Sequence, residues 1–376
     1  VVGLAVALRD LGAQVQVSAP PDDDFVALLA RVGVPLVPLG PTVKSVVSTD
    51  KPPAREDALR LAPELVAARF ESLTAAAAGG CDAILATGLM PAGARDVAEK
   101  LGIRYVFARF HILGMPTPQQ QEEIVQNAWG EKAEQVDVFY NGLYKEALNS
   151  HRAAIGLPPV DSVRQHVYSD QQWLAADETL CPVEPRTDLV QTGAWILPDN
   201  RPLPDGLDEF LDAGEPPVYV GLGSMASYAP KDIAQVGIEA IRAQGRRVVL
   251  GSGWAGLVAI DDADDCFVVG EVNHQALFRR VAAVVHHGGA GTTTTAAVAG
   301  APQVIVPQIA DQPFWGSRVA ELGIGAAHEG RIPTFESLSA TLSIALTPET
   351  AVRAKAVAGK VRTDGATVAA KLLLEA

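Results

Sequence analysis

Apolar positions along the chain change period again and again. "VVGLAVALRDLG" (1–12) spaces them as a helix does and stops at a glycine; "AQVQVSAP" (13–20) then alternates as a strand does. "VPLVPL" (34–39), "DAILATGL" (82–89) and "RYVFARF" (104–110) read as further short strands, with "DDFVALLARVG" (23–33) and "GARDVAEKLG" (93–102) as helices around them. Between Met115 and Asp137 the chain turns polar, rich in Gln and Pro, which predicts a mobile surface segment over a cleft. The helical stretch "VFYNGLYKEALNSHRAAIG" (138–156) closes the first half. After "TGAWILPDNRPLPDG" (Thr192–Gly206), a linker pattern with three prolines and two glycines, the alternation restarts. Strands are expected at "PPVYVGLGS", "RRVVLGSGW", "CFVVGEV", "AAVVHHGG" and "PQVIVP", and helices at "PKDIAQVGIEAIRAQG", "HQALFRRV" and "TTTTAAVAG". A last helix, "ATVAAKLLLEA", could lie across either half.

Strand and helix in alternation imply an α/β fold with parallel sheets covered on both faces. At 376 residues the chain has room for two such cores, since domains usually hold about 100 to 200 residues. The expected organisation is therefore two facing doubly wound domains, 1–193 and 207–376, joined by a linker at 194–206 across a central cleft. A net charge of −14 with no basic stripe argues against nucleic acid as a partner. Cys81, Cys181 and Cys266 are odd in number, scattered and without a CxxC pair, so neither a disulfide framework nor a zinc site is signalled. No apolar run reaches the length of a membrane span and no signal peptide is visible, so a cytoplasmic protein is expected.

The chemistry concentrates in "VVHHGGAGTTTTAAVAGAPQVIVPQIADQP" (284–313). A buried strand runs into a glycine turn and a helix, which aims backbone N–H groups and the positive helix end at whatever lies beyond the sheet's carboxyl edge. Gly288, Gly289 and Gly291 let that backbone approach a ligand, Thr292 and Thr293 can add hydroxyls, and His287 can donate from its ring. A diphosphate suits this set of donors. A tight strand–helix turn, with glycines that serve packing and a satisfied core histidine, is equally consistent with the letters. Asp311 and Gln312, one strand further on, would emerge at the same edge and offer acceptors to sugar hydroxyls. "GLGS", with Gly223 and Ser224, makes a second small-residue turn, and Trp254 in "GSGW" is placed either to meet a nucleobase or to fill the core. GxxxxGK[ST] does not occur at these loops, against a P-loop ATPase, and the GxGxxG spacing of "GSGWAG" (251–256) is not followed by an expected helix, against a standard dinucleotide fold. A nucleotide diphosphate-sugar held by the second domain is the reading these residues favour.

"HHGGAGTTTTAAVAGAPQVIVP" followed by "DQP" resembles the donor signature of inverting nucleotide-sugar glycosyltransferases of GT-B architecture. "NSHRAAIGLPPV", "QWLAAD", "QTGAWILPD", "PVYVGLGS" and "VNHQALFRRVAAVVHHGGAGT" are similar, more narrowly, to the actinobacterial enzymes that glycosylate glycopeptide-antibiotic aglycones of the vancomycin group. The resemblance covers nearly the whole chain and implies two facing Rossmann-like domains. It implies that His287, Gly289, Gly291 and Thr292 hold the diphosphate of a UDP- or TDP-sugar with help from Ser224, and that Asp311 and Gln312 bind the transferred sugar. The segment around Val272 would meet the base edge and Trp254 would stack nearby, although Glu271 and Asn273 replace the Trp and Pro common in related enzymes. No metal or other cofactor is implied. In this family a first strand ends in a Gly-rich loop carrying Ser or His and the usual base, an Asp, before the helix that here begins at Val1. The resemblance implies a natural polypeptide that includes that segment. Of the residues at hand Asp311 is the one stand-in base, and sugar positioning suits it better.

The expected activity is inverting transfer of a sugar to a hydroxyl of an antibiotic aglycone, a glycopeptide heptapeptide first and a macrolide or other polyketide second. A sterol or flavonoid acceptor is a further possibility. A nucleotide-sugar 2-epimerase and a non-catalytic auxiliary protein would share the two-domain shape. The polar stretch on the acceptor side favours transfer over epimerisation.

Overall fold

A computed structural model describes residues 1–47, 55–88, 90–112, 130–168, 171–223, 232–254 and 256–375. Its strands are β1 (Val17–Ala19), β2 (Leu36–Pro38), β3 (Ala83–Thr87), β4 (Arg104–Arg109), β5 (Gln172–Leu174), β6 (Leu189–Gln191), β7 (Val218–Val220), β8 (Val248–Gly251), β9 (Cys266–Val269), β10 (Ala283–His286), β11 (Gln303–Ile305) and β12 (Gly325–Ala327). Every pairing is parallel, as the alternation with helices required. The chain divides into two compact units: Val1–Ala176 with Val183–Leu197 and Thr363–Ala376, and Asp177–Pro182 with Pro198–Arg362.

The second unit carries one six-stranded sheet in the order β12-β11-β10-β7-β8-β9. β7, β8, β10 and β11 are buried along their whole length, and for that reason they read in the sequence as short apolar runs without alternation. One face packs on the helices Ile233–Ala243 and Phe335–Ala345, through Ile238, Ile241, Leu338 and Leu342. The other face, through Tyr219, Val249 and Val284, packs on Leu277, Phe278 and Ala296. Successive strands run outward from β7 on one side (β8, β9), and the chain then returns to its other side at β10. The carboxyl ends of β7 and β10 thus flank the switch point, where open α/β sheets leave a crevice for ligands.

The first unit carries a four-stranded sheet, β3-β4-β5-β6, and a separate pair, β1-β2. The opening helix, Val2–Asp10, lies against the last one, Gly365–Leu374, so the chain ends in the unit where it began. Leu4, Leu8, Trp195, Ala366, Ala369 and Ala370 share one cluster. The approach is close: a Cβ on Gly365 would stand 2.4 Å from the Gly193 carbonyl carbon. Arg104 Nη1 donates to the last carbonyls of that helix, Leu372 O (3.1 Å) and Leu373 O (3.2 Å), where a cation also complements the helix dipole.

Two sequence expectations change here. Residues 194–197 do not act as linker: Ala194 and Trp195 are buried in the first unit, and Trp195 Nε1 donates to Thr192 Oγ1 at 3.0 Å. The prolines that follow belong to the second unit, where Asn273 Nδ2 donates to Asp199 O (2.9 Å) and Arg201 O (2.8 Å). The polar segment expected over 115–137 lies outside the described residues up to 129, and from Gly130 the chain is already in the helix Gly130–Ala154.

Candidate functional site

β10 ends at His286, and the next helix, Ala290–Ala299, takes Gly289 as its N-cap. Thr293 N–H is the first to bond backward, onto Gly289 O at 3.0 Å. The N–H groups of Ala290, Gly291 and Thr292 therefore face out of the helix end, as a site for an anion requires. Gly288 turns the chain with φ +89°, and a Cβ there would stand 2.6 Å from Ile305 Cγ2. A Cβ on Gly289 would meet His287 Nε2 at 2.6 Å, so the imidazole lies folded over the turn. Gly291 has open space where a side chain would be. Packing explains another pair of glycines: the Tyr219 hydroxyl occupies the room that a Cβ at Gly221 or Gly251 would need.

The structure brings several predicted residues together at this edge. The Gly223 Cβ position lies 3.7 Å from the His287 ring, and Gly223 O accepts from Trp254 N at 3.4 Å. Trp254 is half-buried at the end of β8. Burial holds the His287 imidazole below its usual pKa, while the Asp311 carboxylate and the Leu222 carbonyl pull it the other way. His287 Nδ1 is buried without a hydrogen-bond partner. Gln312 O stands 3.3 Å from the Gly288 Cβ position, so the Asp311–Gln312 turn adjoins the glycine turn. Ser224 lies outside the described residues.

Three assignments are corrected by side-chain direction. Val272 is 5% exposed and its side chain packs into the core with Val249, Val269 and Leu277, so only its backbone is left to the base edge expected at this segment. Thr293, read as a hydroxyl donor, is fully buried, and its Oγ1 donates to Gly289 O at 2.9 Å; Thr292, half-buried in the first turn, is the threonine placed toward the edge. Gln312, read as an acceptor for sugar hydroxyls, uses its amide oxygen to take Gln308 N–H (2.6 Å) and Ile309 N–H (3.0 Å). Only the amide N–H groups of Gln312 remain to be offered outward. Asp311 fits its assignment better: Oδ2 accepts from Trp315 Nε1 at 2.7 Å, and Ala310 before it is the one described non-glycine residue with positive φ, +54°. Backbone strain of this kind collects where a neighbouring side chain must be aimed.

Sequence reading passed over His286, Gln303 and Trp315. His286 is wholly buried, and its Nδ1 accepts from Gly288 N–H at 3.1 Å. Nε2 must then carry the ring proton, which it gives to Gln303 Oε1 at 2.9 Å. Burial pushes the ring's pKa down to about 3, which keeps it neutral. Asn273, a departure from the family's pattern, caps the helix His274–Leu277 by accepting from Ala276 N–H at 3.0 Å. Among the described residues the carboxylate and imidazole cluster with metal-like spacing is Asp96, Glu99 and His166, in the first unit. Arg152 Nη1 already sits there, 2.5 Å from Asp96 Oδ1 and 2.9 Å from Glu99 Oε2.

The family model "Erythromycin biosynthesis protein CIII-like, C-terminal domain" matches residues 260–369, which hold the glycine turn, the helix after it and Asp311. The chain is 54% identical to vancomycin aglycone glucosyltransferase of Amycolatopsis orientalis over 100% of its own length and 93% of that protein's. It is 48% identical to dTDP-epi-vancosaminyltransferase of the same organism, over 95% of this chain and 88% of that one. Among solved structures, the glycosyltransferase of kitacinnamycin superposes with TM-score 0.73 at 20% identity over 99% of this chain and 94% of that one. VinC in complex with dTDP gives 0.69 at 22% over 100% and 94%. No helix among the described residues is long and apolar enough to cross a membrane. With a parallel-sheet architecture shared with GT-B enzymes, and identity to these relatives running its whole length, the chain belongs to the glycopeptide-antibiotic glycosyltransferases.

Proposed function

We propose that this glycosyltransferase moves a sugar from a UDP- or TDP-sugar to a hydroxyl of a glycopeptide heptapeptide aglycone, with inversion at the anomeric carbon and without a metal. The observation that carries the reading is the meeting of Gly223, His287, the first N–H groups of Ala290–Ala299 and Asp311 at the switch point between β7 and β10. The 54% identity to an aglycone glucosyltransferase supports the acceptor class. The outward N–H groups and helix end would take the diphosphate charge as the glycosidic bond breaks. A preorganised donor set of this kind stabilises developing charge without reorganisation. Donors of N–H type favour an anion over a cation, which supports the metal-free reading. Asp311 Oδ1, beside the oxygen held by Trp315, is left to accept from a hydroxyl of the transferred sugar, and the Gln312 amide would donate to one. Orientation of the acceptor hydroxyl against the anomeric carbon would supply much of the remaining rate.

Incubation with UDP-glucose or a TDP-deoxysugar, a glycopeptide aglycone and excess EDTA, read by mass spectrometry, tests each part. A gain of one sugar is expected. Donor conversion with no glycosylated product would overturn transfer, a product formed only with a polyketide acceptor would overturn the aglycone class, and turnover abolished by EDTA would overturn the metal-free reading.

A further inference from the structure

The turn that carries His287 and the outward N–H groups rests on a neutral relay beneath it. Gly288 N–H donates to His286 Nδ1 (3.1 Å), His286 Nε2–H donates to Gln303 Oε1 (2.9 Å), and Gln303 Nε2 donates to Thr293 O (3.3 Å). Thr293 closes the circuit with Oγ1 and N–H both on Gly289 O, at 2.9 and 3.0 Å. His286, Gln303 and Thr293 have no exposed surface. Each polar atom in this circuit meets a partner of opposite kind, so the ring has one tautomer and one orientation.

We infer that His286 and Gln303 are positioning residues of the donor site: through Gly288 N–H they fix the turn that aims His287 and the first helical N–H groups at the donor diphosphate. The inference rests on the functional reading above. It follows from where the bonds lead. Gly288 lies in the left-handed region between a strand and a helix, and neither element's own hydrogen-bond ladder reaches its N–H. His286 is the group that takes it. The next residue, Gly289, caps the helix and lies against the His287 ring, so a rotation at Gly288 would swing the ring and the helix end together.

Two near-isosteric replacements separate this role from core packing. In His286→Asn the amide oxygen can stand where Nδ1 does and still accept from Gly288, while the bond to Gln303 is lost. In His286→Gln the amide N–H₂ can stand where Nε2 does and still donate to Gln303, while Gly288 loses its acceptor. UDP and TDP binding by calorimetry, melting temperature and donor and aglycone KM are measured for both variants and the wild-type protein. We expect His286→Asn to keep its Kd within about threefold of wild type and His286→Gln to weaken it about tenfold or more, at comparable losses of melting temperature. Donor KM should move with Kd and aglycone KM should not. Equal Kd in all three proteins, or losses that track melting temperature whichever nitrogen is replaced, would overturn the inference alone. Wild-type protein that binds neither nucleotide would overturn the functional reading and the inference with it. Should His286→Gln not fold, Gln303→Glu serves instead. Its carboxylate favours the imidazolium, whose protonated Nδ1 cannot accept from Gly288, and donor Kd should weaken in the same way; an unchanged Kd there would count against the role.

Discussion

The first unit buries an ionic cluster and the second a neutral one. In the first, Arg152 Nη1 contacts Asp96 and Glu99, Arg152 Nε donates to Pro158 O at 2.6 Å, and Asp96 Oδ2 takes Gly93 N–H at 3.1 Å. His166 Nε2 stands 2.9 Å from Asp96 Oδ1. These contacts tie the helices Ala94–Leu101, Gly130–Ala154 and Val163–Val167 to one another. In the second unit every bond of the His286 relay is between neutral groups, and the last ends on the glycine turn. Charge pairs attract over a range of geometries and suit the clamping of helices. Neutral hydrogen bonds are directional and suit the fixing of a loop. The difference suggests one buried network for stability and one for aim.

Arg152→Ala is the strongest test of the first half of that contrast. It leaves Asp96, with no exposed surface, short of its main counter-charge. Breaking a buried pair from one side costs about 3–5 kcal/mol. A large drop in urea midpoint is expected, with unchanged UDP affinity in the fraction that folds. A drop of less than about 1 kcal/mol would make the cluster a surface-like ion pair, and a weakened donor Kd would erase the distinction between the two networks.

Acid should separate the networks next. Burial lowers the pKa of His286 to about 3 and that of His274 to about 4. Both groups are neutral in the folded protein where the unfolded chain, with an imidazole pKa of about 6.5, already binds protons. Their contribution is therefore complete above about pH 6.5 and is lost as pH falls, at about 1.4 kcal/mol per pH unit for each histidine, until the folded pKa is reached. Asp96 behaves differently: burial alone would raise its pKa, but hydrogen bonds from His166 and Arg152 outweigh that and hold it below the usual carboxylate range. Its contribution is present above about pH 4 and is lost only below that. Urea unfolding between pH 7 and 5 should show the fall, and His286→Asn should remove one histidine's share of the slope. A flat profile over that interval would mean that the two networks fail together.

How far this could be read from letters differs between the same two regions. In the second unit, strands buried on both faces give apolar runs, and glycines before small-residue helices mark their carboxyl ends, so β7, β8, β10 and β11 and the place of the candidate site along the chain were legible. Direction was not. Gln303 pairs with Val284 and Ile305 with His286, so Gln303 sits diagonally to His286 on the same sheet face. Only the register of two strands reveals that, and register is not written in either strand alone. Val272, in the turn before the helix His274–Leu277, turns its side chain into the core, a direction that one apolar letter in a turn does not give. In the first unit β1 and β2 fall within the strands expected at 13–20 and 34–39, whereas β5 and β6, three residues each, are too short for alternation to declare itself. The helix Arg55–Ala77 carries Pro63 inside it, a residue that reads as a helix breaker.

The smallest effect gives the finest test of the neutral network's principle, because Asp311 is aimed by one neutral donor. Trp315 is 1% exposed, and its Nε1–H holds Asp311 Oδ2 at 2.7 Å. Asp311→Ala removes the acceptor proposed for the sugar and should lower kcat/KM about 10- to 100-fold, the scale of a hydrogen bond to a charged group, about 1.5–3 kcal/mol. Trp315→Phe keeps a ring in the core and removes only the N–H, so the carboxylate stays and loses its orientation. A net hydrogen bond of about 1 kcal/mol corresponds to a loss of about fivefold. If Trp315 acts through Asp311, the double variant should be no worse than Asp311→Ala alone, because an absent carboxylate cannot be aimed. If the two losses multiply, Trp315 contributes by another route, and aim by a buried neutral donor would then belong to the glycine turn and not to the sugar end of the site.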